Sequence, residues 1–386
     1  MNRDLLSGEY KRFPKHWEVI SFTKAFKDMT GGQTKIPKGD YLESGDIPII
    51  DQGQDLIGGY TNERQAVCDI RLPCVVFGDH TKIFKFVTKP FALGADGVKV
   101  LSEANNIDPK FAYYFLNTLN LPDVGYSRHF RFLKRTFFPL PPLEEQRRIA
   151  AILDKADGVR RKRKEAIRLT EELLKSTFLE MFGDPVTNPK GWEIVKLGSL
   201  VVGQLNNGIF KKNHEYGGDT PVVWVKELFS GYTIDCSESR TLTPTDEEVK
   251  KFGLTKGDIL FCRSSLNREG IGFNNVFDGM DFSALFECHI IRVSLNQRKV
   301  NSIFLNYLLR FPGLRKQIIA KANTVTMSTI GQSEIKKIEF YLPPKELQDK
   351  FEIFLRKIAT NRTKLENKES ENLFNSLLQR AFRGEL

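Results

Sequence analysis

No stretch of this 386-residue chain approaches the ~20 consecutive apolar residues that a membrane-spanning helix requires. The opening MNRDLLSGEYKRF has no apolar core of the kind a signal peptide carries, so the chain is expected to stay in the cytosol. Cysteine is scarce as well. The five residues Cys68, Cys74, Cys236, Cys262 and Cys288 are odd in number and form no CxxC pair, which argues against a disulfide framework or a structural zinc site and for reduced, mostly buried thiols. Catalytic signatures are missing too. There is no GxxxxGK[ST] phosphate loop, and the Pro-Pro pairs at Pro141 and Pro343 lie outside the amide-Pro-Pro-aromatic motif with which a methyltransferase holds a flipped adenine. The lone Glu366-x-Lys368 reads as an exposed charge pair rather than a nuclease site. His80, His129, His214 and His289 have no partners at metal-ligand or triad spacing.

What the chain does have is a basic balance, 58 Lys plus Arg against 48 Asp plus Glu for a net +10, which points toward a polyanion such as nucleic acid. With 40% hydrophobic and 27% charged residues the composition is that of a globular protein long enough for two or more domains. It also has an internal repeat. FPKHWEVI (13–20) returns as NPKGWEIV (188–195), SGDIPII (44–50) as GGDTPVV (217–223), GGYT (58–61) as SGYT (230–233), PKFAYYFLN (109–117) as SIFLNYLLR (302–310), and LPPLEEQ (140–146) as LPPKELQ (342–348). Order is kept while the offset drifts, so the second copy carries insertions.

Each copy has two parts. Residues 1–142 and 184–342 mix short β-branched or aromatic runs (IPIID, CVVFG, VVWV, DILF) with Gly, Asn and Asp turns and helical interruptions, which reads as two mixed α/β domains in an α+β chain. After each LPP comes a long stretch, 143–183 and 343–386, with Glu in its first turn and a narrow apolar seam: Ile149, Ile152, Ala156, Val159, Ala166, Leu173, Phe178 and Met181, then Phe351, Phe354, Ile358, Leu365, Leu373, Leu377 and Ala381. Such seams favour helix-on-helix packing. Two helices paired antiparallel would place the copies about a pseudo-two-fold axis, the symmetry of a DNA duplex, with the rod as a ruler between two readers.

Taken together, the LPPxxEQ and LPPxExQ pair, each opening an amphipathic helix, the ends MFGDP and AFRGEL, and the second start NPKGWEIVKLG resemble the specificity subunit of type I restriction-modification systems over essentially the whole chain. The resemblance implies two target-recognition domains on a conserved coiled coil, with no chemistry or cofactor of its own. It implies double-stranded DNA as ligand, two copies of a DNA adenine methyltransferase subunit and the restriction translocase subunits as partners, and S-adenosylmethionine, ATP and Mg on those partners.

Candidate DNA contacts follow. In the first domain VVFGDHTKIFKFV and FALGADGVKVL resemble a recurrent type of family recognition domain, with His80, Thr81 and Lys82 on a loop leaving a strand: Lys82 for phosphate, His80 or Thr81 for a base edge. The bland alternative is a surface turn with a solvated Lys. YSRHFRFLKRT interleaves Arg128, Arg131, Lys134 and Arg135 with aromatics, as a phosphate clamp or as a core segment with a basic face. In the second domain Lys211 and Lys212 answer Lys35 and Lys38 on Gly-bounded loops, and GDILFCRSSLNREGIGF offers Arg263 for bidentate guanine reading, with Asn267 and Arg268 on backbone or base. The position aligned with Arg263 is Asp79, so the two domains should read different sequences. The run RRKRK (160–164) must point all round its helix, leaving a solvated face, phosphates or an acidic protein surface as its neighbours.

Overall fold

The computed structural model describes residues 13–386 except 96, 105, 126, 325–327 and 367–368, so Lys368 of the charge pair lies outside it. Its compact units are Met1–Lys164 with Asn367–Leu386 (unit 1) and Glu165–Glu366 (unit 2). Each is a mixed α/β domain together with its own share of the long helices.

Unit 1 opens with β1 (Glu18–Ser21) and the turn α1 (Phe22–Ala25). A four-stranded antiparallel sheet follows in the order β2–β9–β6–β7, where β2 is Phe26–Asp28, β6 Cys74–Gly78, β7 Phe84–Val87 and β9 Val98–Glu103. A second sheet, β3–β8–β4–β5 (β3 Lys35–Ile36, β4 Ile47–Ile50, β5 Gly59–Thr61, β8 Ala92–Gly94), pairs β8 parallel to both β3 and β4. CVVFG in β6 is buried at every residue, and this accounts for its unbroken apolar run where a half-exposed strand would alternate. Helix α2 (Pro109–Leu116) begins with Asp108 accepting from the N–H groups of Lys110 and Phe111 and with Pro at its first position, a strong N-terminal signal. After α3 (Phe130–Leu133), β10 (Phe137–Leu140) pairs antiparallel with β1, Glu18 opposite Leu140.

Unit 2 repeats the frame. β11 (Glu193–Lys196) pairs with β22 (Glu339–Leu342), Glu193 opposite Leu342. The sheet β12–β19–β15–β17 (β12 Asn206–Asn207, β15 Ile259–Cys262, β17 Asn274–Val276, β19 Ile290–Val293) answers β2–β9–β6–β7. β14–β13–β18 (β13 Thr220–Val223, β14 Arg240–Leu242, β18 Leu285–Phe286), with β13 parallel to β18, answers β5–β4–β8. One sequence pairing shifts here. SGYT (230–233) lies after the turn α5 (Val225–Leu228), and the strand that takes β5's place is β14. The inserted turn carries SGYT off the sheet. Unit 2 adds α6 (Asp246–Phe252) and the small sheet β16–β21–β20 (β16 Ser264–Ser265, β20 Asn323–Thr324, β21 Ser328–Thr329); α7 (Ser302–Leu309) answers α2, with α8 (Pro312–Ala320) and α9 (Gln332–Lys336) after it.

Both copies of the repeated start and of LPP thus meet on paired strands, and each LPP ends in a helix. α4 runs Leu143–Phe182, α10 Lys345–Glu366 and α11 Glu369–Ala381. Within unit 1 the first half of α4 lies antiparallel to α11: Arg148 donates to the Leu386 carbonyl at 2.6 Å, and twelve residues on Arg160 meets Glu371 at 3.7 Å and stacks over the Phe374 ring. Within unit 2, Glu171 pairs with Arg362 at 2.8 Å and Phe178 packs edge-on against Phe351. The chain therefore builds antiparallel helix pairs. Ile149, Phe178, Phe351, Ile358 and Ala381 of the seam are buried as expected, but Val159, Leu173 and Leu373 are 53%, 51% and 58% exposed, and at the last two the next residue, Leu174 or Phe374, is buried instead. Buried Asp157 occupies a seam position apolar counting skipped, held by Arg160 at 2.6 Å and Arg161 at 3.0 Å. Two of the five basic residues of RRKRK are thereby tied to this carboxylate.

The Gln of each LPP motif explains why the motif occurs twice. Gln146, with no exposed surface, accepts from the Asp108 N–H at 2.8 Å and donates to the carbonyls of Pro141 (2.8 Å) and Asn106 (3.0 Å). Gln348, equally buried, accepts from the Asn301 N–H at 2.8 Å and donates to the Pro343 carbonyl at 2.7 Å. One amide in each copy clamps the start of the domain helix to the start of the rod helix.

Candidate nucleic-acid interface

The β6–β7 turn carries His80, Thr81 and Lys82. Its backbone is fixed by Lys82 N–H donating to Gly78 and by Lys82 adopting φ 62°. Gln52, after β4, braces it: its carbonyl accepts from the Thr81 hydroxyl at 2.7 Å and its Oε1 from the His80 N–H at 3.4 Å. Asp51 in turn meets the buried Lys85 ammonium at 3.3 Å, and burial depresses the Lys85 pKa despite that carboxylate. Lys82 reaches the exposed Asp123 at 3.4 Å, a surface pair that a phosphate can replace at little cost.

The basic segment comes to the same end of the sheet. Asp79, 3% exposed, accepts the Phe130 N–H at 2.6 Å on its carboxylate, and its carbonyl accepts the His129 N–H at 2.8 Å. The anchors Phe130 and Leu133 are buried, while Arg128, Arg131, Lys134 and Arg135 are all exposed. Arg131 lies over the Phe132 ring at 4.7 Å and Lys134 over Phe130 at 4.9 Å. His80–Lys82 and Arg128–Arg135 are therefore gathered through Asp79. Lys35 and Lys38 are exposed on β3 and on the turn that follows it.

Unit 2 uses the same backbone with different tips. The Asp79 N–H donates to Gly97 and the Asp79 carbonyl accepts from His129; likewise the Arg263 N–H donates to His289 at 2.7 Å and the Arg263 carbonyl accepts from Ile330 at 2.9 Å. Asp79 and Arg263 occupy equivalent places, one side chain turned in as a clasp and the other exposed. Arg263, Asn267, Arg268 and Lys212 are exposed. Two contacts differ from a simple set of donors. Lys211 is held by Glu248 at 2.8 Å and Glu215 at 3.6 Å, and the Asn267 side-chain oxygen caps the turn Arg268–Gly270 by accepting from Glu269 at 3.1 Å. The Asn267 amide nitrogen keeps its donor role.

Sequence reasoning missed the scaffold under that turn. Arg315, 9% exposed, donates through Nη2 to the carbonyls of Glu269 (2.8 Å) and Ile271 (2.9 Å), and Arg310 donates to those of Asn274, Gly231 and Leu228. The guanidiniums of Arg310 and Arg315 lie 4.9 and 5.4 Å from the Phe273 ring centre, and burial pushes the Arg310 pKa down to about 10. Nothing in the spacing of PGLRKQ separates such an inward Arg from a solvated one. His289, read from sequence as lacking partners, has one: its Nδ1 lies 2.7 Å from Glu287 Oε2. With Cys288 these make the one group of three potential metal donors among the described residues. A turn folds three consecutive residues together, which ligand-spacing rules do not cover.

Residues 14–169 and 189–374 match the family described as type I restriction modification DNA specificity domain. The chain belongs to this family. It is similar to the type I restriction enzyme MjaIX specificity subunit of Methanocaldococcus jannaschii, 24% identical over 381 residues that cover 88% of this chain and 86% of that protein. It is similar also to the EcoKI specificity subunit of Escherichia coli K12, 24% identical and covering 64% of this chain and 57% of that one. The crystal structure of the type I restriction-modification S subunit from M. genitalium superposes with a TM-score of 0.63 at 15% identity, covering 95% of this chain and 96% of that one; that likeness concerns the fold. Among the described residues no helix is long and apolar enough to cross a membrane.

Proposed function

We propose that this type I specificity subunit binds double-stranded DNA at a bipartite, asymmetric target, with unit 1 reading one short stretch and unit 2 the other. The carrying observation is the duplicated frame with unlike tips: Asp79 and Arg263 share one backbone environment, and only the second exposes a side chain that can fork onto guanine. In unit 1, Lys82, Arg128, Arg131, Lys134 and Arg135 hold phosphate, with Lys35 and Lys38 at the flank; His80 or Thr81 meets a base edge. In unit 2, Lys212 and Arg268 hold phosphate while Arg263 and Asn267 read bases, and Lys211 contributes only where a phosphate displaces its carboxylates. Affinity rests on these cations and falls with salt.

The subunit does no chemistry and holds no cofactor. Its helices dock two adenine methyltransferase subunits and, with adjacent surfaces, the restriction subunits of a cytoplasmic phage-defence complex. Leu169 and Leu173, one helical turn apart on α4 and each 51% exposed, support a protein partner there, since neighbouring exposed apolar side chains mark interaction surfaces. S-adenosylmethionine, ATP and Mg belong to those partners.

Co-expression with the cognate methyltransferase subunit in a methylation-free host, followed by genome-wide mapping of methylated adenines, tests this. The expected result is one motif of two short specified parts around a fixed gap, with exchange of residues 1–142 changing one part only. Methylation with no sequence preference, or a single undivided motif, overturns it.

A further inference from the structure

The turn Glu287–Ile290 stands beside Arg263. The Ile290 N–H donates to the Glu287 carbonyl at 3.1 Å and the His289 carbonyl accepts the Arg263 N–H, so His289 and Arg263 are joined through backbone at the tip of the β15–β19 pair. The Glu287 side chain is 3% exposed and that of His289 53%. One Glu287 oxygen accepts both the His289 N–H at 2.9 Å and the ring Nδ1–H at 2.7 Å. A buried carboxylate bonded to Nδ1 fixes ring orientation and tautomer, leaving Nε2 on the far side as the working atom. Such an arrangement costs the burial of an anion, and a merely solvated histidine gains nothing from it.

We propose that His289 is a specificity-determining residue of unit 2, presenting the Nε2 lone pair of a neutral imidazole to an exocyclic amino group, adenine N6 or cytosine N4, in the major groove beside the base met by Arg263. Glu287 is its positioning residue. This rests on the DNA-reading function proposed above. The amino groups are the major-groove donors, and an imidazole whose Nδ1–H is engaged accepts one and rejects the carbonyl acceptors of guanine and thymine. Unit 1 places Gly97, at φ +88°, where unit 2 has His289; a Cβ there would lie 2.9 Å from the His80 ring and 2.7 Å from Gln52 Oε1. The His289 contact is therefore confined to the part of the target read by unit 2.

The test is a binding selection from randomised duplexes with the full-length chain, at a pH well above the imidazole range, comparing the unsubstituted protein with His289→Ala, His289→Gln and Glu287→Gln. His289→Ala is expected to relax one position, next to the one set by Arg263, with roughly tenfold lost discrimination there and the unit 1 part of the motif unchanged. His289→Gln, which keeps an acceptor, should restore part of that preference, and Glu287→Gln, which keeps an acceptor for Nδ1–H, should weaken it less than His289→Ala does. Loss of affinity spread evenly over all sequences, as for a phosphate contact, overturns the assignment. So does an unchanged motif, or a preference in the unsubstituted protein that a chelator abolishes, which would make the Glu287–Cys288–His289 group a metal site. If the unsubstituted chain selects no sequence at all, the DNA-reading function itself fails and this assignment with it.

Discussion

Replacing Gln146 by Leu keeps most of the side-chain volume and removes the amide that joins α2 to α4. Three backbone groups lose their partner: the Asp108 N–H, the Pro141 carbonyl and the Asn106 carbonyl. Asn106 is exposed and turns to water, whereas Pro141 is buried and Asp108 half-buried. At about 1–3 kcal/mol for each buried group left unpaired, the two that water cannot serve cost roughly 2–4 kcal/mol after relaxation. For a unit of this size that is a fall of about 5–15 °C in Tm. Gln348→Leu should do the same to unit 2 through the Asn301 N–H and the Pro343 carbonyl. Scanning calorimetry of the full chain, with hydrogen exchange at the Asp108 and Asn301 amides, separates the units: each substitution should speed exchange at its own amide and leave the other slow. A Gln146→Leu protein that melts within about 1 °C of the parent, or that loosens both amides alike, would refute the clamp.

Lys82→Ala should weaken binding to all duplexes alike and reduce the slope of log affinity against log salt by about one, checked by a salt titration of fluorescence anisotropy; a change of motif instead would make Lys82 a base reader. Glu103, on β9, has a carboxyl oxygen, Oε1, that is buried with no hydrogen-bond partner among the described residues, and burial raises its pKa to about 7. A carboxyl raised on folding keeps its proton longer in the folded chain, so unit 1 loses stability as pH rises from the unfolded value near 4.5 through 7. Glu103→Gln should stabilise the protein at pH 8 by up to about 3 kcal/mol and leave it unchanged below pH ~4.5, a difference read from denaturant melts at the two pH values.

The strands and long helices were legible because they rest on what sequence displays directly: apolar runs, Pro and Gly punctuation, and repetition. CVVFG and DILFC gave β6 and β15, and LPP marked the start of α4. The helix seam was legible only as a period. Asp157 and Arg160 hold seam positions as a bonded pair, and because a count of apolar residues cannot admit them, it takes the exposed Val159 in their stretch. At the candidate interface, the Lys and Arg of the basic runs are exposed as their sequence suggests. Arg315 and Gln52 were not legible, because an inward guanidinium clamping carbonyls and an amide bracing a turn carry no pattern of their own.

The two halves of the repeat differ in what they keep. Gln146 and Gln348 recur because the groups they satisfy, a helix-start N–H and a Pro carbonyl, are dictated by the frame common to both copies. At the tips the same backbone hydrogen bonds hold Asp79 and Arg263, but the side chains are spent differently: Asp79 closes the basic segment onto unit 1, while unit 2 anchors its equivalent segment by the Ile330 N–H and the Ser264–Thr329 pairing, which leaves Arg263 outside. The exchange is not symmetric: loss of the exposed Arg263 side chain leaves no buried group unpaired, whereas loss of the Asp79 carboxylate leaves the buried Phe130 N–H without its acceptor. On the proposed function, sequence divergence concentrates at the exposed ends of β15 and β19, where a side chain such as Arg263 can change what is read without altering what is folded.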